Sequence, residues 1–180
     1  MKKILLSIIC IMAAIFAQAE GHMTFKGIEI DGDLKSVISN LSKQGFKYVD
    51  STNIGAMMNG WFTGREVELF VLTTPISKTV KTIAISYESM YTWSTLKARY
   101  EELSSMLKNK YGEPIEDIDD VSDDYSPLHE LTMDRGSIYR KYSSEFGNVV
   151  IEIKGDGKIQ LYYFDKANML LNSEEEQSDL

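Results

Sequence analysis

The chain has 180 residues, 27 acidic and 19 basic side chains, a formal charge of −8 and a single cysteine. One cysteine excludes a disulfide scaffold and a Cys-based zinc site, and the acid excess argues against nucleic acid, which needs a basic surface to displace counterions. A hydrophobic content of 43% is that of a chain that folds.

In chain order, Lys2 and Lys3 come first, an apolar run follows from Ile4 to Phe16, and Ala17-Gln18-Ala19 supplies the small residues of a cleavage site. This is the layout of a secretory signal peptide over 1–19, too short to favour a stable span. Cys10 lies inside the run, between Ile9 and Ile11, so it reads as an apolar residue rather than a lipid anchor. Cleavage leaves 161 residues without cysteine; the lost segment holds two lysines and no acid, so the charge becomes −10. No second apolar run of about 18 residues follows. The expectation is a secreted or periplasmic protein with no membrane span after cleavage.

Thr24 to Ile30 reads as a short strand closed by Asp31-Gly32. Asp33 is placed to cap a helix whose stripe is Leu34, Val37, Ile38 and Leu41, and Gly45 to end it. Four β-prone runs follow: Phe46–Val49, Met57–Thr63, Glu66–Thr73 and Thr79–Tyr87. In the third, Phe70-Val71-Leu72 is continuous, which suggests cover on both faces. Thr92 then precedes a long helix from Trp93 to Lys110, with Leu96, Tyr100, Leu103, Leu107 and Tyr111 on one stripe, ended by Gly112 and Pro114. After a polar loop come Ser137–Ser144, Asn148–Lys154 and Lys158–Phe164, the last two joined by Gly155-Asp156-Gly157. A short helix over Asp165–Leu171 and an acidic tail over 172–180 complete the chain.

Helices stand apart from strand runs, which predicts an α+β fold with an antiparallel sheet. Gly45 and Gly112 mark equivalent helix ends. The expected organisation is a single domain over 20–171 made of two tandem helix-then-strands repeats, about 24–90 and 91–171, with the helices packed on one face.

Particular short segments carry a resemblance: His22-Met23-Thr24-Phe25-Lys26-Gly27 with Ile30-Asp31-Gly32, Gly60-Trp61-Phe62-Thr63-Gly64, Trp93-Ser94-Thr95-Leu96, and Lys110-Tyr111-Gly112-Glu113-Pro114. Together they resemble a group of small, secreted, mostly uncharacterised proteins of Bacteroidota. The duplicated plan is similar to the β-lactamase-inhibitor-protein-like fold. That resemblance implies protein binding on a concave sheet face and supplies no site motif; inhibition of a β-lactamase does not follow from it.

Catalytic signatures are scarce. Only His22 and His129 offer imidazoles, and His129-Glu130-Leu131-Thr132-Met133 puts a thioether where a zincin needs its second histidine. No nucleophile elbow, P-loop or dinucleotide fingerprint occurs. The expectation is no enzyme, no cofactor and no metal. Two alternatives stand beside it. One is an enzyme with an unrecognised carboxylate site. The other is a calcium-dependent envelope protein using the acidic loop 113–124, where Glu113, Glu116, Asp117, Asp119, Asp120, Asp123 and Asp124 cluster without the glycine and spacing of an EF-hand.

Aromatic residues are the other unusual feature. Tyr139, Tyr142, Tyr162, Tyr163 and Phe164 fall in the last strands, and Met57, Met58, Trp61 and Phe62 form a second group. Strand alternation sends Tyr162 and Phe164 opposite to Ile159, Leu161 and Tyr163. If the latter are core, an aromatic row lies on the other face. The expected partner-binding residues are therefore Tyr139, Tyr142, Tyr162, Phe164 and Trp61, on a module that binds another envelope or extracellular protein.

Overall fold

The computed structural model describes residues 21–121 and 126–178; the expected signal peptide and Asp123 and Asp124 lie outside the described residues. Alternating apolar residues build one eight-stranded antiparallel sheet, and two amphipathic helices cover one of its faces. The chain begins with a hairpin, β1 (Thr24–Phe25) and β2 (Ile28–Glu29), then α1 (Leu34–Lys43). The strands β3 (Lys47–Thr52), β4 (Gly55–Phe62), β5 (Arg65–Thr73) and β6 (Val80–Tyr87) follow as a meander. After α2 (Trp93–Tyr111) come β7 (Glu116–Asp119), α3 (Pro127–Thr132), β8 (Ile138–Ser144), β9 (Gly147–Ile153) and β10 (Ile159–Asp165), and α4 (Lys166–Ser178) ends the described chain. The sheet order is β3-β4-β5-β6-β10-β9-β8-β7, so each meander brings its last strand to the centre. There β6 and β10 pair antiparallel, with Ile85 opposite Leu161 and Ile83 opposite Tyr163.

Three expectations need correction. Thr24–Ile30 is a hairpin, not one strand, because Lys26 and Gly27 both adopt positive φ (51° and 77°) and reverse the chain. The polar loop after Gly112 contains the edge strand β7 and the short helix α3. The acidic tail is helical through Ser178, and its Glu175 is buried.

The helices form where the sequence caps them. Asp33 Oδ1 accepts the Ser36 N–H at 3.0 Å, satisfying an amide that α1 cannot pair internally. Gly45 and Gly112 take φ of +93° and +87° and end α1 and α2, as glycine can without strain. Thr92 sits at the start of α2, but its hydroxyl bonds that of Thr95 instead of a backbone amide.

The core lies between the helices and one sheet face. Val37 and Leu41 of α1 and Leu96, Tyr100, Leu103 and Leu107 of α2 are buried with Met58, Leu69, Ile83, Ile85, Ile151 and Leu161 of the sheet. Each such side chain is worth about 1.5–3 kcal/mol on leaving water. Phe25 plugs the hairpin into this layer, with its ring centroid 5.2 Å from that of Phe62 and 5.3 Å from that of Tyr163. Gly60 is required beneath Phe46, since a Cβ there would stand 2.4 Å from the ring. Arg99 fastens α2 to the β4–β5 turn by donating to Thr63 O and Thr63 Oγ1, both at 2.7 Å.

The β10–α4 corner is built on Asp165, which is fully buried. It accepts the Met23 N–H (2.7 Å) and the Asn168 N–H (2.9 Å), and the His22 ring lies 3.2 Å away. Asn168 donates in turn to the carbonyls of Ile30 and Val80, each at 3.0 Å. The start of the described chain, the start of β6 and the start of α4 are thereby tied at one point.

Candidate functional site

Neither α1 nor α2 touches the second face of the sheet. Its composition follows from strand register. One row across the sheet is Met57, Phe70, Ala84, Tyr162 and Val150, on β4, β5, β6, β10 and β9. A parallel row, one pleat along, is Asn59, Glu68, Ser86, Gln160, Glu152 and Tyr139. On the other side lie Leu72, Thr82 and Phe164. An apolar band therefore crosses the face beside a polar one.

The residue sizes give this face relief. On β6 the side chains are Thr82, Ala84 and Ser86, which are 2%, 8% and 4% exposed. Their larger neighbours, Glu68, Phe70 and Leu72 on β5 and Gln160, Tyr162 and Phe164 on β10, are half-buried. The small side chains form a low line along the strand between two rows of larger ones, a shallow groove in relief that those rows largely close over and that opens into a cavity at the Ser86 end. At one end, Met169 of α4 accepts a hydrogen bond from Thr82 Oγ1 (3.7 Å to sulfur). The Ser86 end opens into a cleft of about 570 Å³, lined among others by Asn59, Glu66, Glu68, Glu88, Tyr91 and Lys158. The Oγ of Ser86 and the Oδ1 of Asn59 are buried there without a hydrogen-bond partner.

Tyr162 and Phe164 stack on one wall, ring centroids 5.8 Å apart and planes 9° from parallel. The Tyr162 hydroxyl donates to Gln160. Burial pushes its phenol pKa up, and the nearby Glu152 carboxylate adds to the shift. Tyr139 donates to Glu116, and that bond, with burial, likewise raises its pKa. Both are neutral donors over the whole physiological range.

The five expected site residues separate into two groups. Tyr139, Tyr162, Phe164 and Trp61 lie on the open face, with Trp61 67% exposed at the end of β4. Tyr142 does not. It is 1% exposed, faces the core, and donates its hydroxyl to Ser104 O of α2 at 3.1 Å. The reason is parity: Tyr139 and Tyr142 are three residues apart in one strand, so they point to opposite faces. The Met57–Phe62 group splits in the same way. Met57 and Trp61 go to the open face; Met58 and Phe62 go to the helix side. Phe70 and Leu72 were readable as a doubly covered segment, yet both are half-buried on the open face and only Val71 between them is core. The small floor on β6 was legible in Thr82-Ile83-Ala84-Ile85-Ser86, where every second residue is small, but its large neighbours come from strands whose pairing one segment cannot reveal.

The acidic segment is laid out along an edge strand. Arg140 Nε donates to Asp117 at 3.0 Å, Lys97 to Asp119 at 2.6 Å, and Lys108 pairs with Glu113 at 2.8 Å. Among the described residues no group of three or more histidine, cysteine, aspartate or glutamate side chains is arranged to hold a metal ion. No helix among them is long and apolar enough to cross a membrane.

Comparison with protein-family models, with curated proteins and with solved structures gives no significant match. The functional reading therefore rests on the geometry of this face.

Proposed function

We propose that this chain is a secreted or periplasmic binding protein, not an enzyme, which holds a segment of another protein against the open face of its sheet. The observation that carries the reading is the groove over β6, floored by Thr82, Ala84 and Ser86 and walled by half-buried side chains, of which Phe70, Leu72, Tyr162 and Phe164 are apolar or aromatic. Its walls stand on strands two places apart, with roughly 10 Å between their backbones, and run along β6, the direction an extended segment laid along the strand would take. Contiguous apolar surface on a soluble domain marks an interaction site more often than not. Tyrosine and tryptophan, apolar in body and polar at the tip, suit such contacts.

Two further parts of the reading concern origin and compartment. We take the halves 24–90 and 91–171 as tandem repeats of the β-lactamase-inhibitor-protein-like kind. The mirror-like strand order and the helix before each meander support this. Export rests on the basic, apolar and Ala-x-Ala layout of residues 1–19. Intact mass of exported material tests it: the mature species should begin at Glu20.

The binding reading is tested by capture from envelope extract, with the exported chain as bait beside its Trp61→Ala/Tyr162→Ala variant. A discrete partner retained by the former and lost by the latter, at equal denaturant midpoints, supports the reading. Equal retention by both refutes it.

A further inference from the structure

We propose that the cleft at the Ser86 end of the groove is a subsite for a cationic side chain, lysine or arginine, so that the bound segment is basic. The proposal rests on the groove being the binding surface. Glu66, Glu68 and Glu88 line the cleft against one cation, Lys158, whose Nζ stands 3.8 Å from Glu68, at the limit of an ion pair. Glutamates alone would be an ordinary solvated surface. The second observation is Ser86, which is 4% exposed, sits on the floor of the cleft, and has an Oγ to which no other group of the protein is hydrogen-bonded. The Oδ1 of Asn59, two strands away in the same row, is in the same condition.

Buried polar atoms in folded proteins are rarely left unpaired, and each exception calls for a reason. Here three carboxylates and the Asn59 Oδ1 are acceptors, and the Ser86 hydroxyl can accept as well as donate. The complementary group is one with donors only. An ammonium presents three donors and a guanidinium five, and neither accepts. A carboxylate would meet three like charges, an aliphatic tip would leave both oxygens unsatisfied, and a neutral amide or hydroxyl could donate to them but would not balance the carboxylates. Tyr91, 93% exposed beside the cleft, offers a ring face for a cation. A volume of about 570 Å³ admits a long side chain. The charge of −10 on the exported chain favours encounter with a basic partner as well.

The test uses the exported chain, labelled with nitrogen-15, and three blocked pentapeptides of sequence Thr-Val-X-Val-Thr, with X lysine, arginine or glutamate. The lysine and arginine peptides should shift the amide resonances of Ser86, Glu88 and Tyr91 and bind about tenfold tighter than the glutamate peptide, the scale of one charge-assisted contact. Glu68→Gln/Glu88→Gln should remove that advantage. Glu174→Gln/Glu176→Gln, which deletes the same charge from exposed positions on α4, should change it less than about twofold, as screened distant charges do. Equal loss in the two variants makes the attraction diffuse and overturns the subsite. Shifts at Ala84 and Tyr162 that are the same for all three peptides overturn the subsite and leave the groove standing. Absence of shifts on this face with every peptide overturns both.

Discussion

The carboxylate of Glu175 accepts the backbone N–H of Ile76 at 2.7 Å and that of Ser77 at 3.1 Å, which joins the end of α4 to the β5–β6 turn. An acidic C-terminal stretch thus becomes a clasp on the sheet. Burial pushes the Glu175 carboxyl upward, but the hydrogen bonds from Ser77 and Ile76 prevail and its pKa lies below the ordinary glutamate value. A depressed folded value gives stability that is present above the unfolded value and lost as pH falls through the folded one. Glu175→Gln should therefore lower the denaturant midpoint at pH 7. The gap from wild type should close in the acid range, below the ordinary glutamate pKa. Midpoints measured across that range check both statements; a gap that widens on acidification contradicts the clasp.

Leu103 is 2% exposed in the middle of α2, in the cluster that includes Tyr142, Ile151 and Leu161. Leu103→Ala removes buried methyl groups and leaves a cavity, at a cost of about 2–5 kcal/mol. An unchanged midpoint in urea would show that α2 is not a core helix.

Two hydroxyl deletions should behave oppositely. Tyr142 donates to Ser104 O beneath α2, so Tyr142→Phe leaves a buried carbonyl short of a partner and should cost about 1 kcal/mol. Ser86 Oγ has no partner to lose. Ser86→Ala should leave stability unchanged or slightly higher while weakening the lysine peptide. Equal destabilisation by the two would mean that Ser86 is satisfied within the fold.

The acidic stretch should not act as a calcium site. Calcium needs six to eight oxygens converging on one point. Along β7, Asp117 and Asp119 face one way and Glu116 the other, and the two aspartates already pair with Arg140 and Lys97. Titration calorimetry should show no stoichiometric event at about 10⁻⁴ M or tighter, the range of extracellular modules.

What a sequence reveals here is what neighbouring residues settle among themselves. Runs of β-prone residues mark seven strands, some of them by alternation as in Val149–Lys154, and Asp33, Gly45 and Gly112 mark helix ends, because propensity, caps and pleats are local. The strand β7 is polar, and what makes it a strand is pairing with β8, where Asp117 meets Arg140 and Glu116 meets Lys141. Nothing inside Glu116–Asp119 shows that. Glu175 reads as tail because its partners lie 99 and 98 residues earlier. On the open face, Tyr162 and Phe164 were legible from parity alone. The groove was not, since it exists only when β6 is flanked by β5 and β10. Tyr142 was open to elimination from the sequence, by counting three residues from Tyr139.

Tyr162 and Leu161 are adjacent in β10 and give the sharpest contrast between surface and core. Leu161 is 1% exposed and pairs with Ile85 and Ile151 on the helix side. Tyr162 stands half-buried on the groove wall and pairs with Ala84 and Val150. Truncation to alanine should separate the two faces. Leu161→Ala should cost about 2–5 kcal/mol of stability, from lost burial and the cavity that follows. Tyr162→Ala opens space on an already accessible face, so the stability loss should be smaller. Its effect on a bound partner should be about 2 kcal/mol or more if Tyr162 anchors the segment, as aromatic hot spots do. Trp61→Ala, at an exposed position on the same face, should weaken the partner with little change in stability. Unfolding curves and partner affinities for the three variants decide the matter. Should Tyr162→Ala destabilise as much as Leu161→Ala and leave partner affinity unchanged, the groove wall is a second core and the binding face must be sought elsewhere.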